Sequence, residues 1–244
     1  MRRLLPDPAD DVDLDAAYSH PEGLVRANMV SSLDGAVRDA AGRSGGLSSP
    51  ADKRVFAALR GGCDVVLVGA GTVRTEGYGP ARPNPARQQA RVARGQAAVP
   101  AVAVVSRSLG LDLATPFFTE AIVQPVVITV GSSDKARRDE VAEVADVVVA
   151  GAEDVNISEA LDALRDRGMS RVLCEGGPHL LTELAVAGRL DELCLTVALR
   201  VVGGDSGRLV SGPPVEGWTG ELVHVLSEDD HLFLRVARST APTG

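Results

Sequence analysis

The order in which extended and helical patterns follow one another constrains this chain more than any single motif. Short apolar runs rich in β-branched residues fall at 24–30, 63–69, 101–105, 125–130, 146–149 and 170–174, and each reads as a strand. Helical patterns lie between several of them. One covers about 50–60, with Ser49 as N-cap and Pro50 in the first helical position. A basic segment follows two proline-bounded turns within 80–98. The clearest helix is "NISEALDALRDRG", in which Asn156 caps, Ile157, Ala160, Leu161 and Leu164 share an apolar face, and Gly168 ends the run. "HLLTELAVAG" continues from the strand at 170–174 as another helix.

The last third changes character. "DELCLTVAL", "GELVHVL" and "HLFLRVA" are three strands with no helix between them, and "SEDD" joins the last two as a hairpin. Alternation followed by consecutive strands implies an α/β fold: a mostly parallel central sheet with helices on both faces, extended by an antiparallel C-terminal hairpin. Residues 1–22 are acidic and contain proline, and read as an extension or edge segment. With no internal repeat and no break in composition, residues 23–240 read as a single domain.

Composition narrows the functional classes. A net charge of −8 opposes a general nucleic-acid surface, which needs a basic face. No run approaches 18 apolar residues and "MRRLLPDPADDVDLD" lacks the apolar core of a signal peptide, so no membrane contact and a cytoplasmic location are expected. Cys63, Cys174 and Cys194 sit in or beside apolar runs and read as buried thiols. Four histidines show no metal-ligand spacing, and no metal is expected.

Two glycine turns carry the functional signal. In "VLVGAGTVRTEGYGP" the turn Gly69-Ala70-Gly71-Thr72 follows a buried strand. The third glycine of a Rossmann fingerprint is replaced by Arg74, and no ribose-binding acid follows about 20 residues on. No G-x-x-x-x-G-K-[ST] occurs, which excludes a P-loop. In "RVLCEGGPHLL" Glu175 precedes Gly176 and Gly177 where a strand meets a helix. Either turn alone is readily a tight turn. Together they suit a pyrophosphate, because the N–H groups at helix starts and the helix dipoles favour anions. A third strand, "AVAVV", runs into Ser106 and Arg107, a hydroxyl and a guanidinium suited to phosphate, although Arg107 read in isolation is more often a solvated loop cation.

The stretches "SSLDGAV", "GGLSSPADKRVFAALR", "DVVLVGAGTV" and "VLCEGGPHLLTELAVAGRLDEL", with the closing strands, resemble the reductase domain of the riboflavin-biosynthesis deaminase-reductases, a family with the dihydrofolate-reductase fold. The resemblance spans residues 24 to 237 and implies an NADPH-dependent reductase that carries a ribosylamine to a ribitylamine. It places the cofactor on Gly69, Ala70, Gly71, Thr72, Ser106, Arg107, Gly176, Gly177, Pro178 and Leu180, with Ser106 and Arg107 near the 2′-phosphate. On the substrate side it places Asn28, Ser32, Ser48, Ser49, Lys53 and Arg54, with Asp34 and Glu175 as the catalytic acids. Asp34 assists ring opening as acid or base, holds the substrate by a hydrogen bond, or is only the turn residue of an Asp-Gly pair. Ser48, Ser49 and the cations of the following turn could receive a sugar phosphate, or simply cap the helix and face solvent.

The resemblance further implies a homodimer, for which the apolar C-terminal strands offer surface. The zinc motif of the deaminase half, H-x-E followed by P-C-x-x-C, is absent from this sequence. Bifunctional members usually carry Lys at the position of Asn28 and Trp at that of Gly46. Two alternatives therefore stand beside the pyrimidine substrate: a dihydrofolate- or pterin-type reductase of the same fold, and a non-catalytic NADP(H)-binding regulatory module.

Overall fold

A computed structural model describes residues 1–239; Thr240, the final residue of the expected reductase domain, lies outside the described residues. The elements run β1 (Arg2–Leu5), α1 (Leu14–Ala17), β2 (Val25–Ser32), a 3-10 turn (Ser44–Leu47), α2 (Pro50–Gly62), β3 (Val65–Gly69) and α3 (Ala70–Glu76). They continue with α4 (Pro85–Ala93), β4 (Ala101–Val105), α5 (Pro116–Thr119), β5 (Val126–Thr129), α6 (Lys135–Ala142) and β6 (Asp146–Val149). The last are α7 (Ile157–Arg165), β7 (Val172–Cys174), α8 (Pro178–Val186), β8 (Glu192–Ala198), β9 (Gly220–Glu228) and β10 (His231–Arg238). The chain divides into two compact units, one of Met1–Ser19, Leu24–Leu59 and Cys174–Gly244, the other of His20–Gly23 and Arg60–Leu173.

In the first unit β2 and β8 pair in parallel, with Met29 opposite Leu195, while β8, β10, β9 and β1 follow as antiparallel neighbours. β1 pairs with β9, and Arg3 also exchanges backbone hydrogen bonds with Ala9 at 2.8 and 3.1 Å. Glu192, Cys194, Thr196 and Ala198 alternate along β8 as its buried face. Helix α2 meets that face at Thr196, whose hydroxyl donates to the Asp52 carboxylate at 2.7 Å. The opposite face carries rows of half-exposed apolar residues: Leu193 opposite Val236, Leu195 opposite Leu234, Val197 opposite Leu232.

The buried face also encloses charge. Arg26, fully buried, donates to Glu192 at 2.7 Å and to the carbonyls of Tyr18 and Ser19, and Arg235 donates to the same carboxylate at 2.7 Å. Burial opposes ionisation of Glu192, but the hydrogen bond from Arg235 and the charge of Arg26 outweigh it and lower its pKa. Beside these cations lies His224, edge-on to Tyr18 at 5.0 Å, its Nε2 buried without a hydrogen-bond partner. Burial, then the charge of Arg235, push His224 down to about 4, so the fold holds it neutral. The unfolded chain takes up this proton near pH 6.5 and the native chain only near 4. Stability should therefore fall as pH drops through that window, by up to about 3 kcal/mol from this group. Urea unfolding at pH 7 and pH 4.5 checks it: His224→Gln should lose less stability on acidification than the parent, and equal losses would clear His224.

In the second unit β3, β4, β5 and β6 are parallel neighbours in that order, with Val66 opposite Val102 and Val127 opposite Val147. β3, β4 and β5 are buried almost without alternation, as strands covered on both faces must be. Asn156 caps α7 as the sequence indicates, accepting from the N–H of Ser158 and Glu159. The basic segment is less superficial than its composition suggests. Arg91 of α4 is fully buried and donates to the carbonyls of Arg60, Gly61 and Cys63, where α2 ends and its dipole is negative.

Helices α1, α5 and α6 have no counterpart in the sequence reading. Two are only four residues long, and in α6 Val141 is the one buried residue, so no apolar period marks it.

Candidate active site

In the first unit Asp34 lies on the turn after β2, exposed but not free. The Ser32 hydroxyl donates to its carboxylate, and the backbone N–H groups of Val202 and Gly203 donate at 3.2 and 2.8 Å. The hydrogen bonds from Ser32, then Gly203 and Val202, hold its carboxyl down at about 2. Asp34 is an anion at neutral pH whose carboxylate fastens residues 202–203 to the turn after β2. Ser32 is buried and its hydroxyl also accepts from the Ala36 N–H at 2.9 Å, so it serves the turn.

Ser48 and Ser49 stand at the start of α2. Ser49 Oγ accepts from the Asp52 N–H at 3.1 Å, the expected cap, while Ser48 Oγ donates to the Asp52 carboxylate at 2.6 Å. Asp52 thus aims Ser48 and ties it to Thr196 on β8. This residue was not singled out from the sequence, although Ser49-x-x-Asp52 has capping-box spacing. The two cations of the same turn are not gathered with the serines. Arg54 pairs with Glu228, which also accepts the Met1 ammonium at 3.0 Å, and Lys53 is exposed.

Asn28 is half-buried on β2, and its Oδ1 is buried without a hydrogen-bond partner. A Cβ built on Gly46 would collide with the Asp39 carboxylate, so a large side chain there requires Asp39 to move. Glu175, buried, directly follows β7, and the next two residues lead into α8. Gly176 has φ +92°, and its added Cβ would lie 3.3 Å from Met29 Sδ. The Gly176–Gly177 peptide is cis. Gly177 is the N-cap of α8, no side chain caps the helix, and Pro178 fills the first position. The N–H groups of that first turn have no helical acceptor and remain for an outside anion. Leu180 is buried in the same turn. Cys174 is not a nucleophile: burial pushes its thiol up to about 12.

In the second unit Gly69 is the N-cap of α3, again with no side-chain cap. Ala70 is buried and Thr72 half-buried, and a Cβ on Gly71 would meet no atom within 4 Å, so the turn opens onto space. Ser106 is buried just beyond β4, its N–H donating to Ile128 O at 2.9 Å. Arg107 is exposed and donates to Asp154 at 2.9 Å, both side chains largely in solvent. In this unit an uncapped helix start with glycine and an exposed guanidinium are the kinds of donor that suit a phosphate.

The architecture is that of the dihydrofolate-reductase-like oxidoreductases. A dihydrofolate reductase from Enterococcus faecalis complexed with NADP(H) superposes with a TM-score of 0.50 at 13% identity, covering 90% of this chain and 98% of that one. A pyrimidine reductase-like protein from Corynebacterium diphtheriae superposes with a TM-score of 0.81 at 25% identity, covering 95% of this chain and 96% of that one. A curated relative from Methanothermobacter thermautotrophicus, a 2,5-diamino-6-ribosylamino-4(3H)-pyrimidinone 5′-phosphate reductase, is 31% identical over 78% of this chain and 84% of its own. Residues 24–232 match the family model described as the RibD C-terminal domain, and the chain belongs to that family. It is an oxidoreductase, and a nicotinamide nucleotide is its cofactor. Among the described residues no helix is long and apolar enough to cross a membrane.

Proposed function

We propose that this protein is an NADPH-dependent reductase of a ribosylaminopyrimidine 5′-phosphate, converting the ribosyl group to ribityl. One observation carries the reading most directly: a buried carboxylate, Glu175, is followed in the next two residues by the glycines that open α8. A proton-handling group and an anion-accepting helix start are thereby joined by the backbone itself. When bound, the nicotinamide would supply the hydride that C1′ of the ring-opened sugar accepts. In the first unit the α8 turn at Gly176, Gly177, Pro178 and Leu180 would offer its N–H groups to a phosphate of the cofactor; in the second, taken by itself, the α3 turn at Gly69, Ala70, Gly71 and Thr72 would do the same, with Ser106 and Arg107 suited to a 2′-phosphate. Glu175 would serve the proton that accompanies ring opening. Asp34 would hold its loop and the substrate beside it, Ser32 supporting that turn. Ser48, aimed by Asp52, and Ser49 would meet the sugar phosphate.

The 2′-phosphate assignment predicts cofactor choice. Arg107→Ala should weaken NADPH binding about ten- to hundredfold and barely change NADH, as loss of a charge-assisted contact requires. Fluorescence titration with both cofactors checks it. An unchanged ratio clears Arg107, and a parent enzyme that prefers NADH overturns the choice of NADPH.

Asn28 and Gly46 favour one second reading, a pterin or dihydrofolate substrate. A carboxamide whose buried Oδ1 lacks a partner replaces the family's lysine, and Asp39 occupies the space its tryptophan would need. NADPH oxidation with the ribosylaminopyrimidine phosphate and with dihydrofolate separates the two. Turnover of the pyrimidine is expected; turnover of dihydrofolate alone would establish the second reading.

The half-exposed apolar pairs Leu195–Leu234 and Val197–Leu232 support a homodimer that covers this part of the sheet, a closed twofold contact being the common solution. Sedimentation at about twice 25.3 kDa is the expected result, and a 25.3 kDa species at micromolar concentration would exclude it.

A further inference from the structure

Between β8 and β9 the chain passes through "VVGGDSGRLVSG", a strap whose two ends are fastened within the first unit. At the near end, Val202 and Gly203 donate their N–H groups to the Asp34 carboxylate. At the far end, the Ser211 N–H donates to Thr182 Oγ1 at 2.9 Å. Thr182 is 1% exposed, and its hydroxyl proton is already committed to the Pro178 carbonyl at 2.8 Å. A hydroxyl has one donor and two acceptor positions, so donating back along α8 leaves a lone pair directed outward for Ser211. The next residue lies flat on Thr182: a Cβ on Gly212 would sit 3.5 Å from Thr182 Cγ2, at a φ of +136° that favours glycine. Between the two fastenings the strap walls a cavity of about 930 Å³, lined also by Asp34, Leu181, Ala185, Leu193 and Trp218.

We propose that Thr182 is a positioning residue for this reductase: with Asp34 it fastens the two ends of the 202–211 strap and thereby fixes a wall of the substrate's cavity. This rests on reading the Asp34 edge as the substrate side. Thr182 touches no reacting atom; it acts through Ser211. Its side chain belongs to α8, one turn beyond Pro178, so strap and cofactor turn share a rigid support. A flexible wall would have to be ordered each time substrate binds, and that entropy would appear in KM.

The test uses the full chain with Thr182→Val, which keeps the shape and removes the hydroxyl, and Thr182→Ser, which restores it. Thr182→Val is expected to raise KM for the ribosylaminopyrimidine phosphate about five- to tenfold, the loss of one hydrogen bond, with kcat and NADPH affinity within about twofold. Limited trypsin digestion of the cofactor-free protein, read by mass at the exposed Arg208, should speed up by a similar factor. Thr182→Ser should return both readouts toward the parent. Parental KM and parental cleavage in Thr182→Val, a loss confined to kcat, or a serine variant no better than valine would each overturn the proposal. Should the parent turn over no pyrimidine at all, the functional reading fails by itself, and cleavage at Arg208 still decides whether Thr182 fastens the strap.

Discussion

Gly177→Val should lose dinucleotide binding by about a hundredfold or more while leaving the protein folded. The separation of the two effects follows from the backbone. Gly177 has φ −85° and ψ −163°, extended values that valine adopts, so the conformation itself does not demand glycine. Its neighbour does: Gly176 at φ +92° combines a disfavoured backbone with a tight approach to Met29, and substitution there would confuse folding with binding. At the N-cap of α8 an added isopropyl group would stand over the uncapped N–H groups, where a phosphate must come within hydrogen-bond distance. Fluorescence titration with NADPH, alongside circular dichroism and a melting curve, measures both. A folded variant that binds NADPH like the parent would remove this turn from the cofactor site.

Glu175→Gln should lower kcat by about 10²–10⁴-fold with NADPH affinity nearly unchanged, the range expected when a positioned proton-transfer group is removed. Glutamine preserves volume and can still accept a hydrogen bond, so the substitution tests the exchangeable proton rather than the fit. Asp34→Asn makes the contrast. Its carboxyl is held near 2 by donors already in place, so it has no proton to give at neutral pH. Its loss should appear mainly in KM, through the loop it holds. Single-turnover kinetics with saturating substrate distinguish the two. Parental chemistry in Glu175→Gln would refute its role, and an equal loss of NADPH affinity would reassign it to the cofactor pocket.

Local pattern alone carried a reader far into this protein. The order of strands and helices, the caps at Ser49 and Asn156 and the closing hairpin all depend on neighbours a few residues apart, which is why they are legible in the sequence. The glycine turns were legible for the same reason: a helix start without a capping side chain is a local fact. What each candidate side chain actually holds was not. Asp34 meets Gly203, 169 positions away, and Asp52 meets Thr196, 144 away. Arg54 turns to Glu228 and Arg107 reaches Asp154, partners 174 and 47 positions away that only the tertiary structure brings near. Thr182 looked like any threonine inside a helix until Ser211 was found against it. Periodicity reports which face of an element is buried, whereas hydrogen bonds and ion pairs depend on which distant loop the folded chain brings to that face, and no local pattern encodes that.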